Sequence, residues 1–287
     1  MIANAFVPPS FRQKEIVHSF LPLALMLTFS AKAHGQASAT LPDAPSAQSQ
    51  QAQASEHIPL EDQPHPQVTV LGLPKSMASD AVHIFTAPAY IRTRDLAWLL
   101  PLAGASGAAF ATDTHTMRDV VSRNPSFNQT AINVSDGLLY TSIATPVGMY
   151  AWGKFKGDER SRETGILGSQ ALVEAYAVGE LVKVVTFRER PNIDNANGKF
   201  FSAPSKLDSS FVSGHSLIAW SSAAVIAGEY HNPWAQLGVY TAATGVSLTR
   251  VMGQQHFPSD VLIGSSVGWL IGHYVYRAHH HVPRLKK

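Results

Sequence analysis

The sequence predicts an all-α fold, a bundle of about six core helices, and three observations carry that expectation. Apolar residues make up 45% of the 287 residues while charged ones make up 15%, against a usual ~25%, so much of the folded part is buried or faces lipid. Beyond Asp80 the apolar stretches are separated by polar or Pro/Gly breaks, with few of the short alternating β-branched runs that mark strands. Several stretches open on helix-start signals, among them Asn232 before Pro233 and Phe257 before Pro258, where proline suits the first turn.

Taken in order, the first 33 residues read as an export signal. Arg12 and Lys14 precede the largely apolar run Ile16 to Ser30, and Ala31-Lys32-Ala33 sets small residues where a signal peptidase cleaves, with Ala33 as the last residue removed. The run of ~15 residues is short for a bilayer span, which needs about 20. Residues 34–80 read as linker and lead-in. From His34 to about Pro66 they are rich in Ala, Gln, Ser and Pro and lack the large apolar side chains whose burial would offset the entropy of ordering.

The folded domain is expected over residues 81–280, followed by a basic tail at 281–287. Its candidate helices are Thr93 to Thr112, Asp136 to Phe155 with Ser135 or Asp136 as cap, Thr164 to Arg188, Ser213 to Tyr230, Pro233 to Met252, and Pro258 to Ala278. Leu96 to Thr112 and Gly137 to Gly153 carry no charge, yet at about 17 residues each they meet only the lower limit for a span. The helix with Glu174, Glu180 and Lys183 is a poor span. An exported bundle, periplasmic or membrane-associated, is therefore expected ahead of an integral membrane one.

Composition also excludes. Without cysteine there is no disulfide framework, thiol nucleophile or thiolate metal site. A net charge of +2 with no clustered basic stripe gives no footprint for nucleic acid.

Three clusters carry the chemistry. In Lys183-Val-Val-Thr-Phe-Arg-Glu-Arg190-Pro191 the two outer cations are seven residues apart, nearly two helical turns, so both are expected on one face with a drift of ~20°. Pro191 disfavours helix at Arg190 and sets that guanidinium at a helix end. In Ser210-Phe-Val-Ser213-Gly214-His215-Ser216, Ser213 caps a helix, Gly214 lets an anion approach the backbone, and free N–H groups point at that anion with the helix dipole behind them. His215 at the same mouth has the chemistry of a proton donor. In Thr249-Arg250-Val-Met-Gly-Gln-Gln-His256-Phe-Pro-Ser-Asp260, the Asp260 carboxylate is expected to accept a hydrogen bond from one nitrogen of His256, leaving a lone pair on the other.

Singly, each cluster has a commonplace reading as a solvated face, a serine cap or a surface pair. Together they resemble the type 2 phosphatidic acid phosphatase superfamily, with its bacterial acid phosphatase and lipid phosphate phosphatase-like members. That family's pattern is Lys, six residues, Arg-Pro; then Pro-Ser-Gly-His; then Ser-Arg, five residues, His, three residues, Asp. Lys183, Arg190, Pro191, Ser213, Gly214, His215, Arg250, His256 and Asp260 match it, while Val212 replaces the proline and Thr249 the serine.

The resemblance implies the fold shared with vanadium haloperoxidases and a hydrolase that needs neither cofactor nor metal. Its substrate is a phosphate ester, from a small phosphomonoester to a lipid phosphate or diphosphate, met at or near a membrane. It implies that Lys183, Arg190, Ser213, Gly214 and Arg250 hold the phosphate, that His256 attacks phosphorus, that Asp260 holds its tautomer, and that His215 protonates the leaving oxygen. A vanadate-dependent haloperoxidase and a non-catalytic anion-binding bundle are the competing readings. His279, His280 and His281 read as a solvated tail, Asn128 and Asn133 as chance glycosylation patterns, and Arg188 as a surface partner of Glu189 or as a helper of the cationic cluster.

Overall fold

The computed structural model describes residues 69–205 and 208–280. The expected export signal, the tether to about Pro66, His281 and the basic tail lie outside the described residues. Among those described there are seven α-helices and no strand, so the protein is all-α. The helices are α1 (Leu73–Thr86), α2 (Leu96–His115), α3 (Pro125–Lys156), α4 (Glu159–Thr186), α5 (Gly214–Glu229), α6 (Pro233–Met252) and α7 (Pro258–His279).

The six expected helices are all present, and α6 keeps its expected bounds. Helix α3 differs most. It starts at Pro125, where the Asn124 side chain accepts from the Ser126 and Phe127 N–H groups, and not at Ser135 or Asp136. The reason is the Asn-Pro pair that also opens α6: an asparagine oxygen satisfies first-turn donors and proline needs none. Ser135 is buried in mid-helix instead.

Helix α1 lies partly ahead of Ala81, inside the stretch that composition reads as lead-in. A buried acid docks it. Asp80 accepts from Gln170 Nε2 on α4 at 2.7 Å and from the Tyr274 hydroxyl on α7 at 3.2 Å, and pairs with His279 Nε2 at 2.7 Å. The neighbouring His280 lies 3.1 Å from Glu163 and 3.2 Å from Glu229, whose hydrogen bonds push its pKa up to about 9. These two histidines are internal fastenings, which corrects the reading as a solvated tail. Sequence patterning misses them because their acids come from three distant helices.

The core runs along α5, which packs on α4, α6 and α7. Leu167, Ala171, Leu217, Val225, Ile271 and Val275 form its main cluster, with Val212 among them. The α5–α7 contact is set by glycines four residues apart. A Cβ on Gly268 would stand 2.2 Å from the Leu217 carbonyl oxygen, and one on Gly272 would stand 2.1 Å from that of Ser221. With no side chains between them the two backbones touch, and the N-termini of α5 and α7 emerge side by side. The Ser213 N–H donates to the Asp260 carbonyl at 3.2 Å across that junction.

Gly268→Val should therefore cost about 1–3 kcal/mol or more through forced separation of α5 and α7. Gly148→Ala, on an open helix surface, should stabilise by up to ~1 kcal/mol. Urea unfolding of the two variants checks both; equal midpoints would show that the close approach is not limiting.

Candidate active site

The functional side chains sit where helices end. Lys183 occupies the last turn of α4 and Arg250 that of α6, while Ser213, Gly214 and His215 open α5 and Asp260 opens α7. The start of α5 thus brings N–H groups without helical partners and the positive end of a dipole to the site, whereas the donors at the start of α7 are taken, the Phe257 N–H by Asp260 and the Ser259 N–H by Asp113.

The Ser213 Oγ accepts from the Ser216 N–H at 3.4 Å and caps α5 as expected. A Cβ at Gly214 would lie 3.4 Å from Lys183 Nζ, so the ammonium rests over the bare first turn of α5. The Thr249 hydroxyl turns back to the Gly245 carbonyl at 2.6 Å, which spends it inside its own helix.

Arg190 reaches the site by a different route from the one its spacing suggests. Helix α4 ends at Thr186 and Phe187 takes a left-handed conformation, φ 43°, so no helical face carries Lys183 and Arg190 together. The loop after Phe187 is instead held by the Ser210 N–H to Arg188 carbonyl bond at 2.8 Å and the Ser210 Oγ to Glu189 carbonyl bond at 2.9 Å. Arg190 Nε then donates to Asp208 at 2.7 Å, and Nη1 to the Gln255 carbonyl at 3.1 Å.

His256 is almost wholly buried, 2% exposed. Its Nδ1 lies 2.7 Å from the Ser210 carbonyl and 3.9 Å from the nearer Asp260 oxygen. A carbonyl oxygen only accepts, so Nδ1 carries the hydrogen and the neutral ring keeps its lone pair on Nε2. The expected tautomer is obtained, but Asp260 does not set it. Burial first, and then the Arg190 and Arg250 charges, hold the His256 pKa well below 6.5, so the ring is neutral.

Asp260 is engaged elsewhere. One oxygen accepts from the Phe257 N–H at 2.8 Å, capping α7, and the other from Arg188 Nη1 at 2.6 Å. Burial raises this carboxyl to about 7, with Arg188 and the Phe257 N–H pulling the other way. Arg188 itself is 3% exposed and is no surface partner of Glu189. It also donates to Asp113 at 2.7 Å and to Ser259 Oγ at 2.8 Å, while the Phe257 ring lies 4.1 Å from its Cζ. Asp113, the acid near the end of an otherwise uncharged apolar helix, was a usable signal for this partner.

The site also holds a carboxylate outside all three motifs. Asp136 Oδ1 on α3 lies 3.1 Å from His215 Nε2 and 3.4 Å from Arg250 Nη1. Burial and then Arg250 depress the His215 pKa to about 4, with Asp136 opposing them. Arg250, brought down to about 10 by burial and by Arg190, remains a cation at neutral pH, and its buried Nε has no partner among the described residues. Each cation has an acid beside it: Lys183 has Glu180 at 2.7 Å, Arg190 has Asp208 and Arg250 has Asp136. Among the described residues no group of three His, Asp or Glu side chains is arranged to hold a metal ion.

Fold and site together define a helical protein whose helix ends, with the loop after α4, bring Lys183, Arg190 and Arg250 around a buried neutral imidazole. Residues 165–284 match the model of the PAP2 superfamily. It is 31% identical over 183 residues to the lipid A 1-phosphatase of Porphyromonas gingivalis, a match covering 62% of this chain and 37% of the relative. The aligned part is thus little more than a third of that relative's length. Among solved structures, the chain is similar to the crystal structure of the first transmembrane PAP2 type phosphatidylglycerolphosphate phosphatase from Bacillus subtilis. That similarity has a TM-score of 0.41 at 20% identity, over 71% of this chain and 94% of the other.

Two outcomes are expected. Arg188→Ala should cost about 3–5 kcal/mol in urea unfolding, because it leaves Asp113 and Asp260 buried without their cation; a loss below 1 kcal/mol would show that the pair is dispensable. Sulfate, whose charge is constant above pH 3, should bind more tightly as pH falls from 7 to 5. The bound dianion raises the His215 pKa above its free value of about 4, so binding takes up a proton between those two values. Calorimetry at several pH values reads this, and His215→Asn should flatten the dependence.

Proposed function

We propose that the protein is a phosphatase acting on a phosphate ester, with lipid phosphates as its substrate class, through a phosphohistidine at His256. The observation that carries this is the His256 ring itself: Nδ1 tied to a carbonyl, Nε2 left with its lone pair, and burial, aided by two nearby guanidinium groups, holding the ring neutral. Simple anion binding would favour a protonated imidazole. A neutral ring beside cations is the form a nucleophile needs.

In this reading Lys183, Arg190, Arg250, Ser213 and the Gly214 N–H hold the phosphate oxygens, displacing Glu180, Asp208 and Asp136 from the cations. Charge on the equatorial oxygens is met by three cations and a helix N-terminus, a balance that calls for no metal. His256 Nε2 forms a bond to phosphorus as the bond from phosphorus to the leaving oxygen breaks, and His215, which takes up a proton as the bound dianion raises its pKa from about 4, gives that proton to the leaving oxygen. A water then attacks the phosphohistidine, His215 takes the water's proton, and inorganic phosphate leaves with His256 restored. Asp260 acts as a positioning residue: it caps α7 and engages Arg188, fixing the turn that carries His256.

Membrane association is part of the proposal. No helix among the described residues is long and apolar enough to cross a bilayer. Yet Phe85, Trp98, Leu100, Tyr140, Trp152 and Phe155 are all exposed, an extent of apolar and aromatic surface suited to the interface of a membrane. The lipid A 1-phosphatase relative supports the same substrate class.

Turnover of a ³²P-labelled ester, stopped without acid, should trap an acid-labile phosphoprotein in the wild type and none in His256→Ala. The same substitution should lower kcat by about 10³-fold or more, in line with loss of a covalent nucleophile. Normal turnover by His256→Ala would remove the nucleophile assignment. Peroxide-dependent bromination with added vanadate, in place of phosphate release, would favour the haloperoxidase reading.

A further inference from the structure

Asp136 is the one charged residue between Pro125 and Gly153 on α3, and it belongs to none of the three motifs. Its place is nevertheless fixed. A Cβ on Gly253 would stand 2.8 Å from Ile132 Cγ1, and one on Gly245 would stand 3.0 Å from Leu138 Cδ1, so α3 lies close against α6 on either side of Arg250. Asn128 Nδ2 donates to the Met252 carbonyl at 2.7 Å, and the Ser222 hydroxyl on α5 donates to the Ser142 carbonyl at 3.1 Å. Helix α3 is thereby tied to both helices whose side chains Asp136 meets.

The carboxylate serves those side chains through a single atom. Oδ1 lies 3.1 Å from His215 Nε2 and 3.4 Å from Arg250 Nη1. A carboxylate only accepts, so His215 Nε2 carries its hydrogen, and Nδ1 is the nitrogen left to exchange a proton with a ligand. The contact with Arg250 is the longer of the two and the one that yields to an incoming dianion, since a phosphate offers a guanidinium two charge-assisted acceptors at once. Asp136 is partly exposed, so water covers the side that Arg250 leaves.

The groups facing His215 set the direction of the effect. Burial weighs most against its protonation. Arg250 on α6 and Lys183 on α4, the latter with Glu180 at 2.7 Å, oppose it as well; the neutral His256 lies nearby, and Asp136 favours it. A bound phosphate neutralises the two cations. The balance then passes to Asp136, a carboxylate already in contact with the ring.

We propose that Asp136 is a positioning residue that couples the phosphate site to the proton donor: when a phosphate takes Arg250, the shared oxygen is left to His215, which becomes an acid only in the loaded site. The inference rests on the phosphatase reading and deepens it. A solvent proton binds Nδ1 as the ester arrives and passes to the leaving oxygen as the bond from that oxygen to phosphorus breaks. A proton is regained from the attacking water and returns to solvent as inorganic phosphate departs.

The test compares the full chain with its Asp136→Asn and Asp136→Ala variants. Phosphate release is measured from two alkyl esters, hexyl phosphate and detergent-dispersed phosphatidate, whose alcohols need a proton to leave, and from p-nitrophenyl phosphate, whose leaving group needs none. Sulfate binding is followed by calorimetry. The ratio of kcat/KM for either alkyl ester to that for the nitrophenyl ester should fall tenfold or more in both variants. Sulfate should bind at pH 8 no more weakly than to the wild type, because Arg250 has lost a competitor, and the gain in affinity from pH 7 to pH 5 should shrink. A ratio unchanged within twofold, a pH dependence as steep as that of the wild type, or sulfate binding weakened in step with turnover would overturn the coupling while leaving the phosphatase intact. Release from none of the three esters by the wild type would instead bring down the phosphatase reading, and this inference with it.

Discussion

The buried guanidinium of Arg188 is the contact on which the site depends. It joins Asp113 at the end of α2, Ser259 and Asp260 at the start of α7, and the loop that follows α4. A cation this deep is tolerable only when its donors are matched, and the planar fork of arginine can serve two carboxylates at once while its face packs on Phe257. Its backbone serves as well, because the Arg188 carbonyl accepts from the N–H of Ser210, whose own carbonyl holds His256. The same residue thus fixes the turn before α7 through its side chain and the acceptor for the imidazole through its main chain. Lysine could supply the charge but not this geometry.

A second constraint is steric. The bare contact of α5 and α7 at Gly268 and Gly272 leaves no room for relative sliding, and the Ser213–Asp260 backbone bond lies at its upper end. The start of α5 is thereby held beside the turn that carries His256. That arrangement brings helix ends to the site: the first N–H groups of α5 lack helical partners, while those at the start of α7 are taken by Asp260 and Asp113. The acids beside the three cations keep the empty pocket from accumulating repulsive charge, and all three remain partly exposed, so an incoming anion can displace them into water.

Much of this could be read in the sequence. Helical class and six of the seven described helices followed from apolar spacing and from proline positions, and the residues chosen on motif spacing and on the family resemblance lie near one another. What could not be read are contacts made by non-local partners. The separation of Lys183 and Arg190 suggested a helical face, yet a left-handed Phe187 ends the helix first, and an aromatic residue gives no local warning of that. Four residues between His256 and Asp260 suggested a direct hydrogen bond, but Arg188 and the Phe257 N–H take the carboxylate, and a backbone carbonyl takes the ring. Carbonyls have no sequence signature. Asp136 and Asp113 come from helices far upstream, where a lone acid in an apolar segment was the available hint, and α1 sits behind a Pro-rich stretch that masks its start.

The substitution of a carbonyl for a carboxylate at His256 has a chemical consequence. A carboxylate bonded to Nδ1 would raise the basicity of the ring and favour its protonated form, which has no lone pair to offer phosphorus. The Ser210 carbonyl fixes the same tautomer with little added basicity, so the ring stays neutral among its cations. Under the proposed chemistry a phosphoryl group on Nε2 makes the imidazole cationic, and the nearest anion is then Asp260, 3.9 Å from Nδ1. It stands too far away to hold the ground state and close enough to stabilise the charge that develops. In that reading the carboxylate at this position contributes more to the intermediate than to the state before substrate binds, and its tie to Arg188 holds it in place and opposes the burial that raises its pKa to about 7.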